Sequence, residues 1–186
     1  MPTKISFLLP ALAVFSFALA ADAGDVKLKK SNASFSTSAL KGGVTIAGTC
    51  NPLSVKSADG KLILSTKLAS LDTKISARNS AAQKDLNPSG SDKGKEISFS
   101  VDRASLKTPT PDKPVTGGKG RGIFKLNNQG VEYPFTYDAK VGKDGIDVTG
   151  KMTFDYTRHG LEEICLALVC VKHEVAVDVS FTLDEK

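Results

Sequence analysis

From Ser31 onward, apolar and polar residues alternate in short runs separated by clusters of Gly, Pro, Asn, Asp and Lys, the pattern of β-strands joined by turns. The runs predict about eight strands, at 35–40, 43–49, 61–71, 96–101, 120–127, 131–141, 145–156 and 173–183. The clearest is VEYPFTYDAKV. It places Val131, Tyr133, Phe135, Tyr137, Ala139 and Val141 on one face, with Glu132, Thr136, Asp138 and Lys140 opposite. A face this apolar covers either a second packed sheet or the inside of a container, and alternation alone does not choose.

Turn chemistry orders part of the chain. Asn127, Asn128, Gln129 and Gly130 suit a tight hairpin, as do Gly142, Lys143, Asp144 and Gly145, so the strands from about 120 to 156 form an antiparallel meander. Ala58, Asp59 and Gly60 form a turn ahead of the third strand. Pro134 cannot donate a ladder hydrogen bond and predicts an edge, a bulge or a bend. Two segments break the pattern: Ser76 to Gly94, with a helical turn around Asn79 to Lys84, and Thr157 to Lys172, whose Leu161 to Val171 portion suits a short helix or an apolar loop. Thr108 to Gly120 is a Pro- and Gly-rich loop.

The aromatic residues sharpen the strand assignment. Beyond the N-terminal segment they are Phe35, Phe99, Phe124, Phe135, Phe154, Phe181, Tyr133, Tyr137 and Tyr156, all within predicted strands. Each joins branched residues at a spacing of two: Phe99 with Ile97 and Val101, Phe124 with Leu126, Phe154 and Tyr156 with Met152, Val148 and Ile146, and Phe181 with Val175, Val177, Val179 and Leu183.

The N-terminus, MPTKISFLLPALAVFSFALAADA, has a Lys4 n-region, an apolar run from Ile5 to Ala20, and A-x-A sites that place cleavage after Ala20 or Ala23. This is a secretory signal peptide pattern, too short in its apolar core for the ~20 residues of a spanning helix. Residues 24–186 then form one exported domain. The net charge of +5 is spread between acidic residues, which argues against nucleic-acid binding and leaves at most peripheral contact with a membrane. Cys50, Cys165 and Cys170 predict one disulfide and one remaining thiol in an oxidising compartment. Cys165 with Cys170 is the pairing carried forward, provided they lie in a loop; Cys50 with either is the rival.

The chain lacks G-x-S-x-G, H-E-x-x-H and C-x-x-C, and its two histidines, His159 and His173, sit in no ligand-like spacing, so neither an enzyme, a cofactor nor a metal site is expected. A thiol-dependent redox protein is the weakest of the remaining function classes.

The run LASLDTKISARN, Leu68 to Asn79, followed by Leu86, Asn87, Pro88 and EISFSV, resembles the YceI-like family. The later stretch agrees: Gly120 to Leu126, the meander through Tyr156, HGL at 159–161 where the family has Phe-Gly-Ile, and the closing KHEVAVDVSFTL. The family's Arg-Asp-His is Arg78, Asn79, Ser80 here, and Tyr156 to His159 replace its Asp-Arg-Ser. The resemblance implies an all-β, lipocalin-like antiparallel barrel with a short helix or helical loops, exported to the periplasm, whose interior holds a polyisoprenoid or another long-chain amphiphile. True lipocalins carry a Gly-x-Trp, and this chain has no Trp. On this reading the apolar lining is Phe99, Phe124, Tyr133, Phe135, Tyr137, Phe154, Tyr156, Val177 and Phe181, and the polar mouth is Arg78, Asn79, Arg158 and His159. The rival is a filled barrel acting as an envelope interaction or structural module.

Overall fold

The computed structural model describes residues 26–40, 43–166 and 169–185; the expected signal peptide lies outside them. A single antiparallel sheet dominates. Its strands in chain order are β1 (Val26–Ser38), β2 (Thr45–Cys50), β3 (Ser54–Ala58), β4 (Lys61–Lys67), β5 (Leu71–Asp72), β6 (Glu96–Asp102), β7 (Val115–Leu126), β8 (Gln129–Gly142) and β9 (Gly145–Asp155), with the closing strand β12 (Glu174–Glu185). Two short strands, β10 (Cys165–Leu166) and β11 (Val169–Cys170), pair separately, and one helix, α1 (Ser76–Leu86), stands between β5 and β6.

The spatial order β3-β4-β6-β7-β8-β9-β12-β1-β2-β5 curls into a half-barrel. Chain connectivity bridges its two ends. β4 turns through Leu68–Ser70 into β5, which pairs with β2 through Thr49–Asp72 and Cys50–Leu71. At the same seam the Asn51 side chain accepts the Ala33 amide at 2.9 Å, supplying β1 with a partner that a ladder would otherwise provide.

The meander forms as its turn residues require. Asn127 (φ 49°) and Asn128 (φ 61°) make a two-residue turn, and Asp59 (φ 52°) and Gly60 (φ 71°) make another between β3 and β4. Both central residues are left-handed in each, the primed geometry that matches strand twist.

Several elements differ from expectation. The main sheet has ten strands rather than about eight. β3, SVKSA, is too polar to show as a run, and β1 begins at Val26 because Lys27, Lys29 and Lys30 hide its alternation. Of the two alternatives for the segment after Tyr156, helix or loop, the chain takes the second: a 3-10 turn, Tyr156–His159, then extended chain that includes the short β10–β11 pair. Pro134 lies in an interior strand, opposite Arg121 of β7; it stands just past the end of the β8–β9 ladder, which begins at Phe135–Met152, so a missing donor is tolerated there.

Candidate functional site: an apolar cavity with one open rim

The inward faces of the strands enclose a cavity of about 620 Å³. That lies within the range of small-molecule sites, roughly 300–1,000 Å³. Its walls are almost wholly apolar. Residues that point inward yet stay only half-buried, such as Phe35, Phe99, Phe135, Met152, Val177 and Val179, mark the space they leave unfilled. The barrel is hollow.

The β7 wall explains part of that hollowness. Its inward positions at a spacing of two are Gly118, Gly120, Gly122, Phe124 and Leu126. Gly118 pairs with Tyr137 and Gly120 with Phe135, and those rings lie across the bare glycines. A Cβ on Gly120 would stand 2.5 Å from Phe135 Cζ, and one on Gly118 would stand 2.6 Å from Tyr137 Cε1. The rings are therefore held flat to the wall rather than projecting inward. The G-x-G-x-G spacing opposite Phe135 and Tyr137 was visible in the sequence, and it is the signal that alternation of hydrophobicity overlooks.

The loop after β6 crosses one end, and its exposed Lys107 and Thr108 line the cavity. The Tyr137 hydroxyl accepts the Lys107 amide at 2.7 Å, drawing Leu106 to Pro109 over Val101, Phe181 and Leu183. At the other end, Leu86 of α1 and Leu126, Tyr156 and Leu161 pack a floor. Beside that floor the cavity reaches the surface: Val44 lines it and is 56% exposed. Helix α1 turns Arg78, Ala81, Ala82, Asp85 and Leu86 toward the cavity, a spacing that defines one helical face.

Of the expected lining, Phe99, Phe124, Phe135, Tyr137, Phe154, Tyr156, Val177 and Phe181 all face the cavity. Tyr133 does not. It is 4% exposed beneath the floor, where its hydroxyl reaches the Asp155 carbonyl (2.9 Å) and His159 Nε2 (3.2 Å).

The expected polar mouth divides in the same way. Arg78 lines the cavity. Asn79 is turned back to accept from the Thr73 amide (2.8 Å) and hydroxyl (2.6 Å), and it donates to Asp72, fastening the start of α1. His159 is fully buried, its Nδ1–H donating to the Gln129 carbonyl at 2.9 Å, and Arg158 lies over the Tyr133 ring, 4.8 Å from its centre. Both belong to the tight 3-10 turn Tyr156–His159, which tucks His159 under the floor and leaves Arg158 exposed against the Tyr133 ring.

The titrating groups fit these placements. Burial lowers the His159 pKa and raises that of Tyr133. A hydrogen bond from Lys74 holds Asp72 at about 2. Burial also raises the thiol of Cys50, which is 8% exposed at the edge of the cavity lining and hydrogen-bonds near Ser70.

Cys165 and Cys170 are directly paired across the β10–β11 hairpin and joined by the disulfide, leaving Cys50 free. Among the described residues, the one cluster of metal-ligating types is Glu163, Cys165 and Cys170, and both sulfurs are consumed by that bond.

No family model and no curated protein matches the sequence. Solved structures do match the fold. A polyisoprenoid-binding domain from Saccharophagus degradans implicated in plant cell wall breakdown superimposes with a TM-score of 0.69 at 16% identity, covering 88% of this chain and 99% of that one. BcnA of Burkholderia cenocepacia superimposes with a TM-score of 0.56 at 15% identity, covering 83% and 96%. The antiparallel all-β fold expected from the strand pattern is thus the fold this chain shares with these two structures.

Proposed function

We propose that the protein binds a long-chain lipid, a polyisoprenoid or another amphiphile of that kind, inside the barrel and sequesters or carries it without chemistry of its own. The hollow apolar cavity of about 620 Å³ carries this reading. The solved domain of the same fold that is named for polyisoprenoid binding supports it. A filled structural barrel has no use for such a space, and most groups in the walls have no directional chemistry to offer a reacting substrate.

The binding force is desolvation. Each methylene-sized group transferred from water contributes about 0.8 kcal/mol, so a chain of ten such groups gains about 8 kcal/mol before association costs. Arg78 and Asp85, on the cavity face of α1, are charged groups placed to meet a polar head at that end; Arg103, Lys107 and Lys151 also line the cavity. Export as a single domain, residues 24–186 after signal cleavage, into the periplasm or beyond is part of the proposal; the Cys165–Cys170 bridge favours an oxidising compartment.

Titration with an isoprenoid quinone tests the reading. With no Trp present, intrinsic fluorescence comes from Tyr133, Tyr137 and Tyr156, two of which face the cavity. Saturable quenching at one quinone per protein is expected, and Phe135→Lys, which puts a charge in the wall, should abolish it in a protein that still folds. Lack of saturable quenching by any long-chain amphiphile would refute the proposal.

A further inference from the structure

The outer surface carries few large apolar side chains. Among the described residues five are exposed, and three of these are Leu40 (49%), Val44 (56%) and Ile75 (47%). Each lies on, or within a few residues of, the chain that lines the cavity. The Ala39 amide donates to the Val44 carbonyl and the Leu40 amide to the Cys170 carbonyl, each at 2.8 Å, so Leu40 and Val44 sit together beside the disulfide hairpin. Ile75 follows Asp72, which pairs with Thr49 of β2, and stands in the chain between Thr73 and Arg78, both of which line the cavity. Val44 itself lines the cavity that Thr73 and Arg78 also line. The apolar surface is therefore continuous from the outside of the rim to the inside of the barrel.

We propose that this rim, Leu40, Val44 and Ile75, docks on a lipid bilayer and is the face through which the cavity exchanges its lipid. The inference rests on the lipid-binding reading above. A lipid crossing water to reach the cavity would expose its whole chain, whereas a rim sunk into the headgroup layer gives it an unbroken apolar path. Among the described residues around the rim, no one sign of charge dominates: exposed Lys172 stands with Glu162 and Glu163, Lys74 is held by Asp72 at 2.7 Å, and Arg78 shares the cavity face of α1 with Asp85. The membrane engaged is accordingly one recognised by apolar insertion, and a neutral bilayer suffices. Ile123, opposite Glu132 on the β7–β8 wall, is exposed to a similar degree (45%) away from the rim and serves as the control.

The test is flotation with neutral phosphatidylcholine vesicles loaded with an isoprenoid quinone, alongside quinone uptake from detergent micelles. Wild-type protein should float with the vesicles and extract quinone. The variant Leu40→Asp/Ile75→Asp, which leaves the cavity-lining Val44 in place, should lose at least tenfold in both, about 1.4 kcal/mol or more, while keeping uptake from micelles. Ile123→Asp should match wild type. If that variant fails to take up quinone from micelles, Leu40→Ser and Ile75→Ser singly are read instead, each expected to weaken flotation severalfold. Wild-type protein that does not float, rim variants that float and extract like wild type, or a wild-type dimer that the rim variants dissociate would each overturn the proposal. Wild-type protein that takes up no quinone even from micelles would instead overturn the lipid-binding reading.

Discussion

Gly120→Ala probes the hollow interior with a single methyl group. Its Cβ would fall 2.5 Å from Phe135 Cζ and 2.6 Å from Cε1, well inside van der Waals contact, so the ring has to move. It cannot slide along the wall, because Phe99 meets it edge-on at 5.3 Å between centres and Tyr137 lies 5.8 Å away on the other side. The free direction is into the cavity. Overpacking of this kind costs about 1–3 kcal/mol, against a gain of about 0.4–1 kcal/mol from stiffening the unfolded chain, so destabilisation wins. For a domain of this size each kcal/mol lowers Tm by about 2–4 °C, and the net change should be a fall of several degrees. Thermal unfolding followed by circular dichroism measures it, and the quinone titration should show affinity reduced by about tenfold, about 1.4 kcal/mol, as the ring occupies ligand space. Phe135→Leu removes the clash, so in the double variant the two effects should be non-additive by about 1 kcal/mol or more. Thr136→Ala, on the outer face, should change neither quantity. A Gly120→Ala protein with unchanged Tm and unchanged uptake would refute the idea that glycine holds the ring against the wall.

Two further outcomes follow from buried groups. His159 is held neutral by burial, with a pKa below that of the unfolded chain, so as pH falls below about 6.5 the unfolded state takes up the proton first; stability should then fall by up to about 1.4 kcal/mol per pH unit until the folded pKa is reached. Urea unfolding between pH 7 and 5 should show this slope, and His159→Gln should flatten it; the carboxylates with lowered pKa, Asp72 and Asp155, act only in more acidic solution. Cys50, buried and raised in pKa, should resist a hydrophilic maleimide in the native protein and label fully in denaturant, whereas rapid native labelling would place it at the surface.

The sequence made the walls legible because strand alternation and hairpin chemistry are local. Phe99, Phe135, Phe154 and Phe181 lie where period two puts them, and the Asn127–Asn128 turn sets β8 beside β7. Arg78 reached the cavity because α1 continues the helical turn expected around Asn79. What failed was anything set by long-range packing. Tyr133 shares a face with Phe135 in the pattern, yet His159 and the Asp155 carbonyl, both distant in sequence, claim its hydroxyl and hold it beneath the floor. Arg158 and His159 looked like mouth residues because they are polar and lie in a turn, but polarity does not say on which side of the floor a turn is packed. β3 escaped notice because its partner, β4, supplies the apolar face of their hairpin. The alternation of VEYPFTYDAKV could not distinguish sandwich from container; the glycine stripe opposite it on β7 does.

Native mass spectrometry of the protein purified under non-denaturing conditions from a host that makes isoprenoids tests the central claim most directly. A population heavier than the apo chain by the mass of one isoprenoid or other long-chain lipid is predicted, lost in Phe135→Lys. Repeated recovery of the bare chain alone, with no mass gained when isoprenoid is added, would contradict it.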